Sequence, residues 1–291
     1  MKDLEVHLDI THGLNYLTFF TQRALEDLLG ILAIGKDVKM TVYNTDPFVK
    51  GVTSLGVNVI EERNIVERPV SEKVGKRVLK NYSLENAEFG RIMAKFRINS
   101  AKLNLWTSSI LLGLPLLLAT THPNLTEILQ ILDEALCEFR ENTEVQGKTL
   151  ERRIGLGKDF ATLSKLAFQV RVINCLLEDM NLPKEELSAD ELFEIADRVF
   201  KGRIGASTRK EIDRILTRVG DVKEWTRLRE FFPNANPQVD PRNFLAHAGL
   251  EANLVEVKRE KDVLFRYTKD RVLYGGKMED PWRVISRILG G

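Results

Sequence analysis

Between Leu4 and Ile10 the chain alternates, with Leu4, Val6, Leu8 and Ile10 apolar and Glu5, His7 and Asp9 polar, which is the two-residue period of a strand. Thr11, His12 and Gly13 break the alternation. From Asn15 to Leu32 apolar positions recur at helical spacing in two series: Leu17, Phe20, Ala24, Leu28 and Leu32, and beside them Tyr16, Phe19, Leu25 and Leu29. Two apolar stripes predict a helix covered on both sides. Two β-rich stretches follow, residues 37–43 and 56–65, divided by the turn-forming Asn44-Thr45-Asp46-Pro47. Strand, helix and strand in that order predict one right-handed βαβ unit with an extra strand after it. So small a sheet cannot bury both of its faces, and the unit reads as an N-terminally incomplete doubly wound domain whose missing half is absent or supplied by another chain.

From Arg68 onward the pattern becomes helical. Amphipathic periodicity predicts helices over residues 71–82, 86–98, 124–139 (capped by Asn124 or Thr126) and 159–180, then over 188–201 and 207–219, each opened by a serine cap. Strand character returns over residues 253–268 as a hairpin turning near Glu260 to Asp262. The expected class is α+β, mainly α, with a partial Rossmann-like unit at 1–69 and a helical domain ending in a β-hairpin at 70–291.

Charge narrows the partners. Lysine and arginine total 43 against 42 acidic residues in 291, so no global basic field exists to capture duplex nucleic acid. DNA is not expected as a partner, and any RNA contact must be local. Cys137 and Cys175 fit a reducing compartment, read as small core hydrophobes, and form no zinc site. The charged N-terminus MKDLEVHLD carries no secretory signal, so a cytoplasmic location is expected. The apolar run from Ile110 to Ala119 is interrupted by Pro115 and falls well short of the ~20 residues of a membrane span. It reads as a buried or interfacial helix, with subunit or domain contacts its expected place. Four dispersed histidines supply no metal set, and the lone Gly155-Leu156-Gly157 lacks the third glycine of a dinucleotide loop. No cofactor is expected. The basic run Lys201 to Arg218 reads as a solvated helix face before it reads as an RNA surface.

One segment resists a purely structural reading, "DPRNFLAHAGL" from Asp240 to Leu250. Asp240 suits an N-cap, Pro241 the first helical position and Gly249 the left-handed end. Phe244, Leu245 and Ala248 can then face the core. Asn243 and His247 share a face, and Arg242, about 140° from His247 around the helix, has to reach along its end. A helix N-terminus favours anions. Arginine to grip phosphate oxygens, histidine to move a proton near neutral pH and asparagine to orient either suit phosphodiester cleavage without a metal. Taken alone, Arg242 paired with an acid and His247 on a carbonyl would explain the same residues.

The segment Pro241 to Leu250 resembles the catalytic segment of HEPN ribonucleases, in which arginine, a polar residue, three more residues and histidine follow in order. Leu8 to Leu17, "LDITHGLNYL", resembles a strand-end loop of the CARF domain found in CRISPR-associated ribonucleases of type III systems, and the two motifs stand in that family's order. The resemblance implies a homodimer that cleaves single-stranded RNA through the neighbouring 2′-hydroxyl and leaves a cyclic phosphate, with Arg242, Asn243 and His247 as the site. It also implies that Thr11, His12, Gly13 and Asn15 line a pocket for cyclic oligoadenylate, the family's activator; the absence of the family's first phosphate-facing loop leads us to expect weak binding or none. A self-standing RNase toxin, or a dimer that binds RNA or a partner without turnover, are the alternative readings.

Overall fold

The computed structural model describes residues 3–11, 14–47, 50–51 and 53–290, with the side chain of Asn15 outside the description. The first unit is the expected βαβ. Strand β1 (Leu4–Asp9) leads through α1 (Asn15–Leu32) to β2 (Val38–Thr45), and the two strands pair in parallel from Leu4↔Val38 to Asp9↔Tyr43. The extra strand β3 (Val57–Ile65) pairs antiparallel on the other side of β2, with a register shift between Val42 and Tyr43. Leu25, Leu29, Leu32 and Ala33 pack onto Val38, Met40 and Val42 as a small separate core. The outer stripe of α1 is not covered within the chain: Phe19 and Phe20 are 65% and 63% exposed, and Tyr16 and Leu17 lie open beside them. The expectation of two covered faces therefore holds for one face only.

The first unit is tied to the rest at several points. Arg68 N–H donates to Gly30 O at 2.8 Å, and Lys165 and Lys201 reach Asp27 and Asp37. Beyond it come β4 (Leu79–Asn81), α2 (Asn86–Met93), α3 (Ser100–Leu112), α4 (Pro115–Thr121), α5 (Leu125–Glu141), the hairpin β5 (Thr143–Gln146) and β6 (Thr149–Arg152), then β7 (Ile154–Leu156), α6 (Lys158–Leu176), β8 (Leu187–Ser188), α7 (Ala189–Val199) and α8 (Gly202–Leu216). The chain ends with β9 (Thr226–Arg227), a 3-10 turn (Leu228–Phe231), α9 (Pro241–Ala246), β10 (Val255–Arg259), β11 (Val263–Tyr267), β12 (Val272–Tyr274), β13 (Lys277–Glu279) and α10 (Pro281–Ile288). Strands β8, β11, β10 and β9 form one four-stranded sheet in that order, and the expected hairpin β10–β11 closes with Glu260 N–H on Asp262 O. The class is α+β and mainly helical. No helix among the described residues is long and apolar enough to cross a membrane.

Four expectations need correction. Residues 71–78 are not helical. Val70, Val74 and Val78 are all buried, but the backbone N–H groups of Val70, Val74 and Arg77 are taken by Gln169, Asn104 and Asp159 side chains instead of by a helical ladder. Side chains of α3 and α6 therefore satisfy this stretch in irregular form, which helical spacing alone does not reveal. Ser207 lies inside α8, which starts five residues earlier at Gly202, whereas Ser188 does cap α7 with a full capping box. Both cysteines are exposed, not buried. The run from Ile110 to Ala119 is split at Gly113 (φ +66°) between α3 and α4, and Leu114, Leu116, Leu117, Leu118 and Ala119 are fully buried in the chain's own main core. The buried reading of that run holds for these residues, while Leu112 lies exposed at the end of α3.

Candidate active site

The short helix α9 follows its sequence closely. Asp240 caps it by accepting from Arg242 N–H at 2.8 Å, and Pro241 occupies the first turn where no N–H is needed. Phe244 is fully buried and pins the helix to the main core. His247 stands at the C-cap with its N–H on Asn243 O, after which Ala248 and Gly249 both take positive φ, 52° and 77°. Gly249 N–H then reaches back to Phe244 O, and the buried Tyr267 hydroxyl donates to Gly249 O. Positive φ is cheap for glycine and strained for alanine, so the turn that presents His247 is held by its surroundings.

His247 and Asn243 look into a cleft of about 260 Å³. Its other walls are Arg214 and Arg218 from the end of α8, Phe232 to Asn236 after the 3-10 turn, and Leu250 to Ala252. The His247 side chain is 34% exposed, and its Nδ1 lies 3.0 Å from Glu211 Oε2. The same carboxylate oxygen accepts from Arg214 Nε at 2.7 Å. The Arg214 and Arg218 guanidinium groups lie 4.6 and 4.8 Å from the centre of the Phe232 ring, a geometry in which cations are attracted to the ring. Glu251 supports the floor: it is 2% exposed and accepts from Asn253 N–H, Leu254 N–H and Asn253 Nδ2. Burial pushes its carboxyl up, against these donors, which favour the charged form.

The structure brings Asn243 and His247 together but leaves Arg242 outside the cleft wall. Arg242 is exposed, and its guanidinium makes no ion pair or hydrogen bond among the described residues. A long cation held at the first turn of a helix, without an acid to neutralise it, remains available to a phosphate. Sequence reading did not single out Glu211, Arg214, Arg218 or Phe232, and took the basic run that holds the two arginines for a solvated helix face before an RNA surface. The first three follow at spacings of three and four, which puts them on one helical face, but whether that face meets solvent or a cleft depends on the loop from Phe232 to Asn236.

At the first unit, Thr11 lies at the carboxyl ends of β1 and β2, where open α/β sheets bind ligands. Its hydroxyl donates to Asp9 Oδ1 and accepts from Thr45 N–H at 2.9 Å, so it ties the two strand ends together. His12 and Gly13 lie outside the described residues, and Asn15 is placed only as the first residue of α1. Among the described residues the α1 N-terminus has no side-chain cap and no acid in its first turn. Among the described residues no group of three histidine, cysteine, aspartate or glutamate side chains could hold a metal ion.

Comparison with known proteins matches both ends of the chain. Residues 1–47 match the family "CRISPR system endoribonuclease Csx1, CARF domain" and residues 203–269 match "CRISPR system endoribonuclease Csx1, HEPN domain". The second match spans α8, the cleft, α9 and the hairpin β10–β11. The chain is also 30% identical over 281 residues to the CRISPR system endoribonuclease Csx1 of Methanocaldococcus jannaschii, covering 88% of this chain. It spans 59% of that relative's length.

Proposed function

Because the chain belongs to the CARF–HEPN family, we propose that it is an endoribonuclease of the CRISPR antiviral response which cleaves single-stranded RNA without a metal ion. The observation that carries this reading is the cleft lined together by His247, Asn243 and the two arginines Arg214 and Arg218, with Arg242, unpaired among the described residues, at the head of the same short helix. A proton-moving group beside several cations is what phosphodiester cleavage at neutral pH requires.

In the proposed reaction the RNA backbone lies along the cleft, with Arg214 and Arg218 against flanking phosphates. Arg242 neutralises the charge that grows on the non-bridging oxygens, and Asn243 orients the phosphate. The 2′-hydroxyl attacks the adjacent phosphorus: the 2′-oxygen to phosphorus bond forms and the phosphorus to 5′-oxygen bond breaks. The products are a 2′,3′-cyclic phosphate and a free 5′-hydroxyl. One proton leaves the 2′-hydroxyl and one arrives at the 5′-oxygen. A homodimer that sets two copies of α9 face to face would supply one His247 for each transfer and two copies of Arg242 around one phosphate. The N-terminus of α1, which follows Thr11 at the strand ends, is the proposed place of a cyclic oligoadenylate activator.

Incubation of the chain with single-stranded RNA in EDTA, with and without cyclic tetra- and hexa-adenylate, tests the proposal. Products with cyclic phosphate ends are expected. RNA that is bound but never cleaved would instead identify a binding module.

A further inference from the structure

Glu211 decides which nitrogen of His247 faces the cleft. The imidazole Nδ1 lies 3.0 Å from Glu211 Oε2, and a carboxylate can only accept a hydrogen bond, so the ring nitrogen donates. Neutral His247 therefore carries its proton on Nδ1. Its Nε2 keeps a free lone pair and has no protein partner among the described residues. From this geometry we infer that Glu211 is a positioning residue for RNA cleavage, holding His247 in the Nδ1–H tautomer with Nε2 presented to the scissile phosphodiester. The inference rests on the cleavage site proposed above and assigns the working atom within it.

The carboxylate is built to hold a position. Its side chain is 13% exposed, and Arg214, one turn further along α8, donates to the same Oε2 at 2.7 Å. The Arg214 guanidinium is in turn held against the Phe232 ring. Glu211 is therefore held by Arg214 as well as by His247, so its grip on Nδ1 orients the ring as well as setting the tautomer. During cleavage Nε2 takes the 2′-hydroxyl proton as the 2′-oxygen to phosphorus bond forms, or, already protonated, gives its proton to the departing 5′-oxygen. In both cases Nδ1–H stays on Glu211, and the carboxylate offsets the imidazolium charge. Arg214 shares the oxygen, which ties the proton-moving group to a cation that meets the RNA backbone. His247 is 34% exposed on its side chain, so without Glu211 nothing in the described structure would prevent the ring from turning or exchanging its proton to Nε2.

The test is nuclear magnetic resonance of the full chain labelled with nitrogen-15 histidine, at a pH where the rings are neutral, alongside single-turnover RNA cleavage. His247→Gln identifies the resonances among the four histidines. Wild type is expected to show a protonated Nδ1 and a bare Nε2, and Glu211→Ala a mixture shifted toward Nε2–H. The single-turnover rate should fall about 10- to 100-fold, the usual effect of losing a histidine's orienting partner, with the KM for RNA near that of wild type. Arg214→Ala should do the reverse, raising KM while the Nδ1–H signature is retained. Glu211→Gln, nearly isosteric, serves if the alanine variant does not fold. A wild-type proton on Nε2, or Glu211 variants with an unchanged ring spectrum, would overturn the inference. The spectrum needs no turnover, so the two readings fail separately. A Glu211-dependent tautomer in a protein that cuts no RNA sinks the cleavage reading, while an unchanged spectrum in an active enzyme sinks the role of Glu211 alone.

Discussion

His247 and Glu211, separated by 36 positions in sequence, meet at 3.0 Å and join the short helix α9 to the basic end of α8. This contact turns two motifs that look independent along the chain into one cleft. His247→Ala and Arg242→Ala should each lower RNA cleavage by about 10² to 10⁴-fold, the range for removing a proton-transfer or charge-stabilising group. Neither side chain is part of the core, so melting temperatures should stay close to wild type. Circular dichroism melts and rate constants measured on the same preparations check both halves of this expectation.

Arg218 lines the cleft and has no ion-pair partner among the described residues, so its role is expected to be RNA binding. Arg218→Ala should weaken RNA binding and reduce the dependence of log affinity on log salt by about 0.7, the share of one single-strand phosphate contact. Binding titrations at several salt concentrations decide this. An unchanged slope would place the RNA elsewhere.

Much of the frame was legible in sequence because local rules agreed with the tertiary structure. The alternation Leu4 to Ile10, the cap and proline of α9 and the hairpin β10–β11 all formed where their periods and caps placed them. One miss has a clear tertiary cause: side chains distant in sequence overrode a local pattern. Val70, Val74 and Val78 carry helical spacing, yet Gln169, Asn104 and Asp159 hold their stretch in an irregular, non-helical form. Residue type alone does not tell that Cys137 and Cys175 lie on the open faces of α5 and α6. At the site, Arg242, Asn243 and His247 were visible because they share one short motif. Glu211 was not, because its partner lies on another helix.

Burial pushes the His122 imidazole down to about 4, since the ring is 3% exposed against Trp106 and its Nδ1 has no partner. Its Nε2–H donates to Asn174 Oδ1 at 2.6 Å. The unfolded chain takes up this proton near the ordinary value of 6.5, while the folded chain resists it down to about 4. Stability should therefore fall as pH drops through that window, by up to roughly 3 kcal/mol from this residue. Denaturant midpoints at pH 7, 5.5 and 4.5 (about one step apart across the window) should decline less in His122→Gln. Parallel declines in the two proteins would contradict the assignment.

The open stripe Tyr16, Leu17, Phe19 and Phe20 on α1 groups four large apolar side chains in one exposed place, the kind of patch that marks an association surface. A homodimer at micromolar concentration is expected in sedimentation, with Phe20→Glu shifting it toward monomer while leaving the small core on the inner face of α1 intact. A monomeric wild type would leave the proposed two-copy site unassembled.

The most direct test compares wild type and His247→Ala on a single-stranded RNA in EDTA, with the chemical nature of the product ends determined. Wild type is expected to yield 2′,3′-cyclic phosphate and 5′-hydroxyl ends at a rate that EDTA leaves unchanged, and His247→Ala to yield almost none. Cleavage abolished by EDTA, products with 5′-phosphate ends, or a His247→Ala protein as active as wild type would contradict the proposed site.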